Sequence, residues 1–378
     1  MRICYILLSP TFGMHQYTAN LANRMIEAGH EVVLVTSALL PRDRYAPTVD
    51  ILTPIATSNT GFSWEGLNFR QQELIAKTVA NAAPDVLHFS GPHLWNINLV
   101  RRFRRLGYPV IHTIHDLDPH SGMRMGSLLT IWNRLIIREA DHILVHGQLY
   151  RQRMLQRGVP AEKVTYTPLL HLFVGHKREK DLNEAVSGGA QVSYESFALF
   201  FGRLAKYKGI DHLLAAFAQL ASQGPAGCKL VLAGSGDLSP LWTGDLPANT
   251  ILYNRLIGDE EAVDLFSRCS LVVLPYTDAT QSALIAAAYF FKKPVIVSRS
   301  GALAESVMEG KTGFIVEPGH PSSLARKLSV AFRSPESLRE MGQAGRAWYD
   351  RNRTKEIEAF KNLYSALMER SERVSIIR

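Results

Sequence analysis

Cysteine is scarce in this chain of 378 residues, which contains only Cys4, Cys228 and Cys269. The three are odd in number, far apart, and without the CxxC or Cys/His spacing of a metal site. A disulfide framework and a zinc-binding module are therefore excluded. We predict three packing cysteines in a protein of the reducing cytoplasm, with no resident metal.

Long apolar runs are missing as well. A membrane-spanning helix needs about 20 largely apolar residues, and even the stretch 127–137 is broken by Asn133 and Arg134. The apolar start, residues 1–8, is short and lacks a small-residue cleavage site, so a buried first strand explains it better than a signal peptide. No low-complexity tract occurs. We expect the whole chain to fold, without an integral membrane segment.

The charge balance is basic, with a formal net charge of +8 at pH 7. This favours anionic partners. Two arginine clusters are interleaved with Leu, Ile and Trp132, which suits peripheral contact with an anionic membrane, although solvated helix faces explain them equally well. Nucleic acid is not a predicted partner, because zinc-finger spacing and aromatic RNA-binding signatures are missing. The clusters are Arg101, Arg102, Arg104 and Arg105, and Arg134, Arg138, Arg151, Arg153 and Arg157.

Short apolar runs alternate with helical patterns, which is typical of parallel sheets flanked by helices. The alternation stops in the polar stretch 177–193 and then starts again. We therefore predict an α/β protein of two Rossmann-like doubly wound domains, residues 1–176 and 194–350, which face each other across a cleft. Residues 177–193 are the predicted linker. Residues 351–378 are predicted to form a C-terminal helix that could pack back on the N-terminal domain.

Six strands are predicted in each domain from these runs. Those of the first domain are 2–8, 31–36, 86–89, 110–114, 142–145 and 164–167. Those of the second are 196–201, 229–233, 250–253, 271–275, 294–298 and 312–316. A helix is predicted over 17–27, ended by Gly29 in a left-handed conformation, and the chain after Pro335 is predicted to be helical.

Ligands of doubly wound sheets bind beyond the carboxyl ends of the strands, so the loops at those ends are the first place to look. The loop after strand 196–201 has Gly202 and Gly209 for close backbone approach, with Arg203 and Lys208 beside a helix N-terminus. Two cations at a helix N-terminus favour a diphosphate ligand. Surface ion pairs are the plainer alternative.

The loop after strand 271–275 carries Asp278, Thr280, Gln281 and Ser282 in front of a helix of small residues. The polar side chains and their amides could bind phosphate or sugar hydroxyls. Capping of the helix by Asp278 or Thr280 explains the same residues.

In the first domain, His115 follows strand 110–114 and could donate a hydrogen bond to a ligand hydroxyl. Asp116 and Asp118 form an Asp-x-Asp pattern, but two aspartates without further ligands bind a divalent ion poorly. Gly13, after the first strand, could pass close to a bound phosphate. His15, in the same predicted loop, either faces a ligand or is simply solvated.

Several of these segments together resemble the retaining glycosyltransferases of the GT-B fold, family 4 (glycosyl transferases group 1), over nearly the whole chain. They are Gly202-Arg203-Leu204, Lys208-Gly209-Ile210-Asp211, Leu230–Gly234 with Ser235-Gly236, Pro294-Val295-Ile296, Gly301, Glu305 and Gly310–Phe314. The resemblance implies that Arg203 and Lys208 contact the donor diphosphate and that His115 touches the transferred sugar. We expect further donor contacts from Gly13, Gly202, Gly234, Ile257, Thr280, Gln281, Ser282 and Glu305.

The chain departs from the family pattern at two positions. The family usually has two glutamates, separated by seven residues, before the Pro-Val-Ile strand, and alignment on Pro294 puts Ala279 and Ala287 there. The second glutamate normally holds the nucleotide ribose, so that contact comes from elsewhere or is absent. The first lies by the donor sugar, where Asp278 or the amides of 280–282 could substitute.

The sequence thus predicts a metal-independent hexosyltransferase without a cofactor. Its substrates would be a nucleotide diphosphate sugar, with UDP-glucose as the guess, and a saccharide or lipid-linked acceptor of polysaccharide biosynthesis. A catalytically silent nucleotide-sugar-binding subunit is the alternative, because of Ala279 and Ala287. A nicotinamide dehydrogenase fits worse, since Gly234-Ser235-Gly236-Asp237 lacks the third glycine and the acid about 20 residues further on.

Overall fold

The computed structural model describes residues 1–57, 68–118, 126–187, 195–225 and 227–377. The chain divides into two compact units. The first comprises Met1–Asp181 and Thr354–Arg378, and the second comprises Leu182–Arg353. The changeover after Asp181 lies inside the predicted linker.

The first unit is built on a seven-stranded parallel sheet. Its strands are β1 (Arg2–Leu7), β2 (Glu31–Ser37), β3 (Asp50–Ile55), β4 (Val86–Phe89), β5 (Val110–Thr113), β6 (His142–Val145) and β7 (Val164–Tyr166). Their order across the sheet is β3-β2-β1-β4-β5-β6-β7. The helices are α1 (Phe12–Glu27), α2 (Phe69–Ala82), α3 (Asn96–Arg105), α4 (Gly126–Glu139), α5 (Gln148–Gln156) and α6 (His176–Ser187).

The second unit repeats this plan with a six-stranded parallel sheet. Its strands are β8 (Phe197–Phe201), β9 (Lys229–Gly234), β10 (Thr250–Asn254), β11 (Leu271–Leu274), β12 (Val295–Ser298) and β13 (Gly313–Val316). Their order is β10-β9-β8-β11-β12-β13. The helices are α7 (Ile210–Gln223), α8 (Asp259–Arg268), α9 (Leu284–Phe290), α10 (Pro321–Arg333) and α11 (Pro335–Ile377), of which α11 continues into the first unit.

The central strands are buried along their whole length, as expected for parallel strands covered by helices on both faces. All four residues of β4, β5, β6 and β11 are buried. The continuous apolar runs of the sequence are therefore strands, and each predicted strand is confirmed to within one residue at either end. Gly29 has φ of +83°, so its predicted left-handed conformation is confirmed.

Three elements differ from the predictions. Helix α1 begins at Phe12 rather than at Tyr17. The strand β3 was not predicted, because Asp50–Ile55 contains Pro54 and buries only its last residue fully. Both features fit its position at the edge of the sheet. The polar residues from 177 onward are helical up to Ser187, in α6, rather than without regular structure. Residues 188–193 of the predicted linker lie outside the described residues.

The last part of α11 belongs to the core of the first unit. Phe360, Leu363, Tyr364 and Leu367 are buried in one cluster with residues of β1, α1 and β2. Nearby, the buried guanidinium of Arg24 on α1 forms an ion pair with the buried carboxylate of Glu356. None of the helices in the described residues is long and apolar enough to cross a membrane.

Candidate active site

The predicted site residues of the second unit lie on loops at the carboxyl ends of its strands. The winding runs from β8 outward to β10 on one side and from β11 to β13 on the other. The neighbours β8 and β11 therefore mark the point where the winding reverses, which is where doubly wound sheets bind their ligands. The loops 202–209 and 275–283 leave these two strands.

Glycine is required where the loop after β8 crosses the loop after β9. The Gly202 N–H donates to the carbonyl of Ala233 over 2.8 Å. A Cβ on Gly234 would lie 2.0 Å from the Gly202 carbonyl oxygen, and a Cβ on Gly236 would lie 2.2 Å from the Leu204 carbonyl oxygen. No side chain fits at such distances, so the two loops present closely packed backbone.

Lys208 is held in place by the loop after β11. Its Nζ donates to the Tyr276 hydroxyl over 3.1 Å and lies 4.8 Å from the centre of that ring. Burial lowers the pKa of Lys208 and Arg203 adds to this, but Tyr276 and Tyr207 outweigh both, so that the pKa is raised above its ordinary value. A charged ammonium group therefore stands at the switch point at neutral pH. It lies 3.2 Å from where a Cβ of Gly202 would be.

Arg203 provides a second cation on the same loop. It follows Gly202, whose φ of +112° is a conformation that glycine adopts readily and other residues rarely do. The Arg203 side chain is exposed, whereas Lys208 is half-buried. The loop thus offers one solvent-facing and one inner cation, which suits an anion that enters from solvent.

The two loops are joined through their backbones. The carbonyl of Tyr207 accepts hydrogen bonds from the N–H groups of Thr277 and Asp278, over 2.8 and 3.2 Å. A Cβ on Gly209 would lie 2.1 Å from the Pro275 carbonyl oxygen. The structure therefore brings Asp278 together with the loop that carries Arg203 and Lys208.

Thr280, Gln281 and Ser282 lie between that loop and α9. Thr280 is buried, and its carbonyl accepts a hydrogen bond from the Ala302 N–H over 2.9 Å. Gln281 and Ser282 are half-buried, and Ser282 Oγ accepts from the Leu284 N–H over 3.4 Å. The N-cap residue of α9 is Ala283, so the predicted capping of this helix by Asp278 or Thr280 is wrong. Contacts of Thr280, Gln281 and Ser282 with a donor stay a prediction.

The two alanines that replace the family's glutamates lie against other groups of the protein. Ala287 is 1% exposed in α9, so this helix face packs into the core. Ala279 is also buried, and its carbonyl oxygen lies only 1.8 Å from where a Cβ of Gly301 would be. A ribose contact from the side chain at position 287 is therefore missing from this chain.

Ile257 and Glu305 lie on other loops of the same sheet edge. Ile257 is half-buried between β10 and α8, and Glu305 is exposed in a short 3-10 helix after β12. Asn254, the last residue of β10, accepts from the Gly236 N–H over 3.1 Å and donates to the Gly236 carbonyl over 3.0 Å. This pair of bonds ties the loop after β9 to the end of β10.

In the first unit, His115 follows β5 and is 8% exposed. Its Nε2–H donates to the Ser90 carbonyl over 2.9 Å, which leaves the lone pair on Nδ1 in the neutral ring. Burial lowers the pKa of His115, and the opposing effects of Ser90 and Asp116 do not restore it. A hydrogen bond between His115 and a ligand hydroxyl stays a prediction.

Three aromatic residues around His115 were missed by sequence reasoning. The Tyr17 ring stands edge-on to His115 at 4.8 Å between ring centres, to His146 at 4.9 Å and to His171 at 6.1 Å. His146 donates from Nδ1 to the Thr167 carbonyl over 3.1 Å, and burial lowers its pKa well below the usual range. His146 directly follows β6, so the strand-end rule that found His115 could have found it too.

Gly13 and His15 lie within α1, not in a loop. A Cβ on Gly13 would meet no atom within 4 Å, so the protein itself does not require glycine there. His15 is fully buried, with Nδ1 2.7 Å from the Tyr45 hydroxyl, and burial lowers its pKa to about 4. The expectation of a solvated or ligand-facing loop histidine is wrong, because the helix begins at Phe12 and turns His15 inward.

Asp118 of the Asp-x-Asp pattern is bound to two guanidinium groups. Its carboxylate lies 2.6 Å from Arg153 and 2.7 Å from Arg157. Burial raises the pKa of Asp118, but these two arginines outweigh it and the pKa is lowered. Over the residues that the structure describes, no group of three His, Cys, Asp or Glu side chains is placed to hold a metal ion.

Three arginines of the first basic cluster form ion pairs with carboxylates of neighbouring segments. They are Arg101 with Glu139, Arg102 with Glu73 and Arg104 with Asp141, at 3.0, 2.5 and 2.7 Å. This pairing reduces the positive charge that α3 offers to an external partner. Arg105 and Arg134 are exposed. Membrane contact by this face stays a prediction.

Two protein-family models match the chain. The glycosyl transferase 4-like domain matches residues 12–169, and glycosyl transferases group 1 matches residues 189–348. Among curated relatives, D-inositol 3-phosphate glycosyltransferase of Streptomyces scabiei is 24% identical over 375 residues, which span 89% of this chain and 82% of the relative.

Solved structures share the architecture. Sucrose-phosphate synthase of Thermosynechococcus elongatus superposes with a TM-score of 0.72 at 18% identity, over 97% of this chain and 100% of that one. HepE of Anabaena in complex with UDP-glucose superposes with a TM-score of 0.64 at 15% identity, over 100% of both chains. Such identities show the fold alone. Together with the two matched families, they establish that this chain is a glycosyltransferase of the group 1 family with the GT-B fold.

Proposed function

We propose that the chain is a retaining hexosyltransferase whose second unit binds a nucleotide diphosphate sugar, with Lys208 and Arg203 at the diphosphate. The observation that carries the proposal is the placement of Lys208. Its ammonium group is held by Tyr276 beside the backbone of Gly202, at the switch point of the sheet. Fixed cations at the place where charge develops are usually the largest catalytic contribution.

In the proposed reaction, the bond between the anomeric carbon and the β-phosphate oxygen breaks, and the acceptor oxygen bonds to the same face of that carbon. The electron pair of the broken bond leaves with the nucleoside diphosphate, where Lys208 and Arg203 balance the added charge. The acceptor hydroxyl gives its proton to a β-phosphate oxygen, so no protein nucleophile is required. His115 contacts the transferred sugar, and Asp278 lies by that sugar.

The proposed donor is UDP-glucose, supported by the shared fold with HepE, which was solved with that ligand. The proposed acceptor is a saccharide or a lipid-linked saccharide of polysaccharide biosynthesis. The Streptomyces scabiei relative is named for a phosphorylated inositol instead, so acceptors differ between relatives. Salt-sensitive sedimentation with anionic vesicles is expected for a lipid-linked acceptor, and no sedimentation for a free saccharide.

A panel of nucleotide sugars in a thermal-shift assay tests the donor proposal. A ligand present at 100 times its dissociation constant should stabilise the protein by about 2.7 kcal/mol. We expect UDP-glucose to raise Tm for the wild type and for Lys206→Ala, whose side chain is exposed on the same turn, but much less for Lys208→Ala. A flat panel, or equal shifts for Lys206→Ala and Lys208→Ala, would contradict the proposed donor site.

The alternative is a subunit that binds a nucleotide sugar without turning it over. Burial of Ala287 favours it, since the ribose contact of that position is missing. The two functions differ in one observable. An active enzyme slowly releases nucleoside diphosphate from its donor even without acceptor, whereas a silent subunit binds the donor and releases nothing.

A further inference from the structure

A continuous chain of buried hydrogen bonds runs from α11 to the side chain that flanks His115. The Tyr364 hydroxyl lies 2.8 Å from His88 Nδ1, and His88 Nε2 lies 2.7 Å from Thr113 Oγ1. Thr113 Oγ1 in turn lies 3.1 Å from the Tyr17 hydroxyl. All four side chains are at most 3% exposed. The chain thus links α11, β4, β5 and α1 without solvent.

The side chains that form this chain of hydrogen bonds stay uncharged. Burial lowers the pKa of His88 well below its usual range, and nearby histidines lower it further. Burial raises the pKa of Tyr17 and of Tyr364 well above the usual value. A neutral chain in a dry interior keeps strong, directional hydrogen bonds, and loss of one member leaves its neighbour unpaired.

The chain of hydrogen bonds ends at Tyr17, whose ring packs against the imidazoles of His115 and His146. The planes of Tyr17 and His115 meet at 89°, and those of Tyr17 and His146 at 77°. The centres of the two imidazoles are 5.2 Å apart. Because the Tyr17 ring packs against both imidazoles and its hydroxyl is hydrogen-bonded to Thr113, a tilt of Tyr17 would change its contact with His115.

We infer that Thr113, His88 and Tyr364 are positioning residues for the transfer reaction, which hold His115 in place through Tyr17. The inference rests on the role of His115 in the proposed function. Thr113, His88 and Tyr364 do not touch the substrate in the proposed reaction. They act by fixing the orientation of an imidazole, and a misplacement of about 1 Å at a reacting group costs roughly 10²-fold in rate.

Thr113→Val and Tyr364→Phe each remove one hydroxyl and keep the shape of the side chain. We expect each to lower kcat about tenfold, with a smaller change in KM for the donor, because most of its proposed contacts lie in the second unit. Because both variants cut the same chain, the double variant should be no slower than the slower single one. Multiplicative losses, or wild-type kcat in the single variants, would overturn the inference.

Tyr5→Phe is the matched control. The Tyr5 hydroxyl lies 2.9 Å from the Tyr364 hydroxyl, but this contact is not one of the hydrogen bonds that lead from Tyr364 to Tyr17, and both side chains are fully buried. Its removal should lower the denaturant midpoint as much as the other variants do but leave kcat unchanged. If Tyr5→Phe lowers kcat as much as Tyr364→Phe, the network is only structural. Nitrogen-15 spectra of the imidazoles add a direct readout, since the His115 signals should match the wild type in Tyr5→Phe and shift in Thr113→Val.

His115→Ala separates failure of the inference from failure of the proposed function. Wild-type turnover in His115→Ala would remove the role of His115 itself. Loss of turnover in His115→Ala, with wild-type kcat in Thr113→Val and Tyr364→Phe, would overturn only the positioning chain.

Discussion

Gly202 influences where the charged groups of Arg203 and Lys208 lie. Its left-handed backbone aims Arg203, and the space left by its missing side chain is filled by the ammonium group of Lys208. The positions of these two cations therefore depend on Gly202, although Gly202 has no functional group in its side chain. A methyl group at position 202 would compete with Lys208 for the same space.

Gly202→Ala should lower turnover by roughly 10²-fold, because Lys208 Nζ must move away from a Cβ that would stand 3.2 Å from it. Gly244→Ala is the control. Gly244 also has a positive φ, of +86°, but a Cβ there would meet no atom within 4 Å. Both variants carry similar backbone strain. Steady-state turnover that falls equally in the two would show that strain alone, and not displacement of Lys208, is responsible.

Sequence reasoning could propose Arg203, Lys208 and His115 as site residues, because each follows a strand whose sequence is a continuous apolar run. It could not propose Tyr276 or Tyr17. Tyr276 matters through a contact with a lysine that is 68 residues away in sequence, and Tyr17 looks like an ordinary core residue of an amphipathic helix. Their contacts depend on which strands are neighbours in the sheet, and the local hydrophobic pattern of the sequence does not predict the strand order.

The position of helix α11 depends on the buried ion pair between Glu356 and Arg24. The helix continues the second unit, but its last part fills the core of the first, where Glu356 meets Arg24. The sequence indicated a helix after Pro335 from its apolar spacing. The partner of Glu356 could not be predicted, since Arg24 lies 332 residues earlier in the chain and in a helix of mostly apolar and small residues.

Glu356→Gln should destabilise the first unit by about 3–5 kcal/mol, because it leaves the Arg24 guanidinium buried without its counter-charge. Urea unfolding followed by hydrogen exchange in the first unit measures the effect. Glu358→Gln, at an exposed position on the same helix, should change the midpoint little. Equal midpoints for the two variants would mean that the buried pair does not hold α11 in place.

The two units of the molecule differ in their histidines. Burial lowers the pKa of five histidines of the first unit from 6.5 to about 3 or 4; they are His15, His93, His112, His142 and His171. The second unit has His212 and His320, which are half-buried and exposed. The composition shows 13 histidines but not that burial is concentrated in one unit.

The first unit should therefore lose stability in mild acid before the second does. Between about pH 6.5 and 4, these histidines become protonated in the unfolded chain but stay neutral in the folded one. The free energy of unfolding is therefore unaffected above this pH window and decreases as the pH falls through it. Each such histidine contributes up to about 1.4 kcal/mol per pH unit. Hydrogen exchange at pH 7 and pH 5 should show faster opening in the first unit. Equal acceleration in both units would contradict this assignment.

Release of nucleoside diphosphate from UDP-glucose, with and without a saccharide acceptor, tests directly whether the chain turns over this donor and whether Lys208 stabilises the leaving diphosphate. The wild type and Lys206→Ala should both release it, slowly without acceptor and faster with it. Lys208→Ala should be slower by roughly 10²–10³-fold while keeping its fold, because the leaving diphosphate loses a fixed cation. Release by Lys208→Ala at the wild-type rate would contradict the assignment of this lysine, and binding without release by the wild type would mean that the chain only holds its nucleotide sugar.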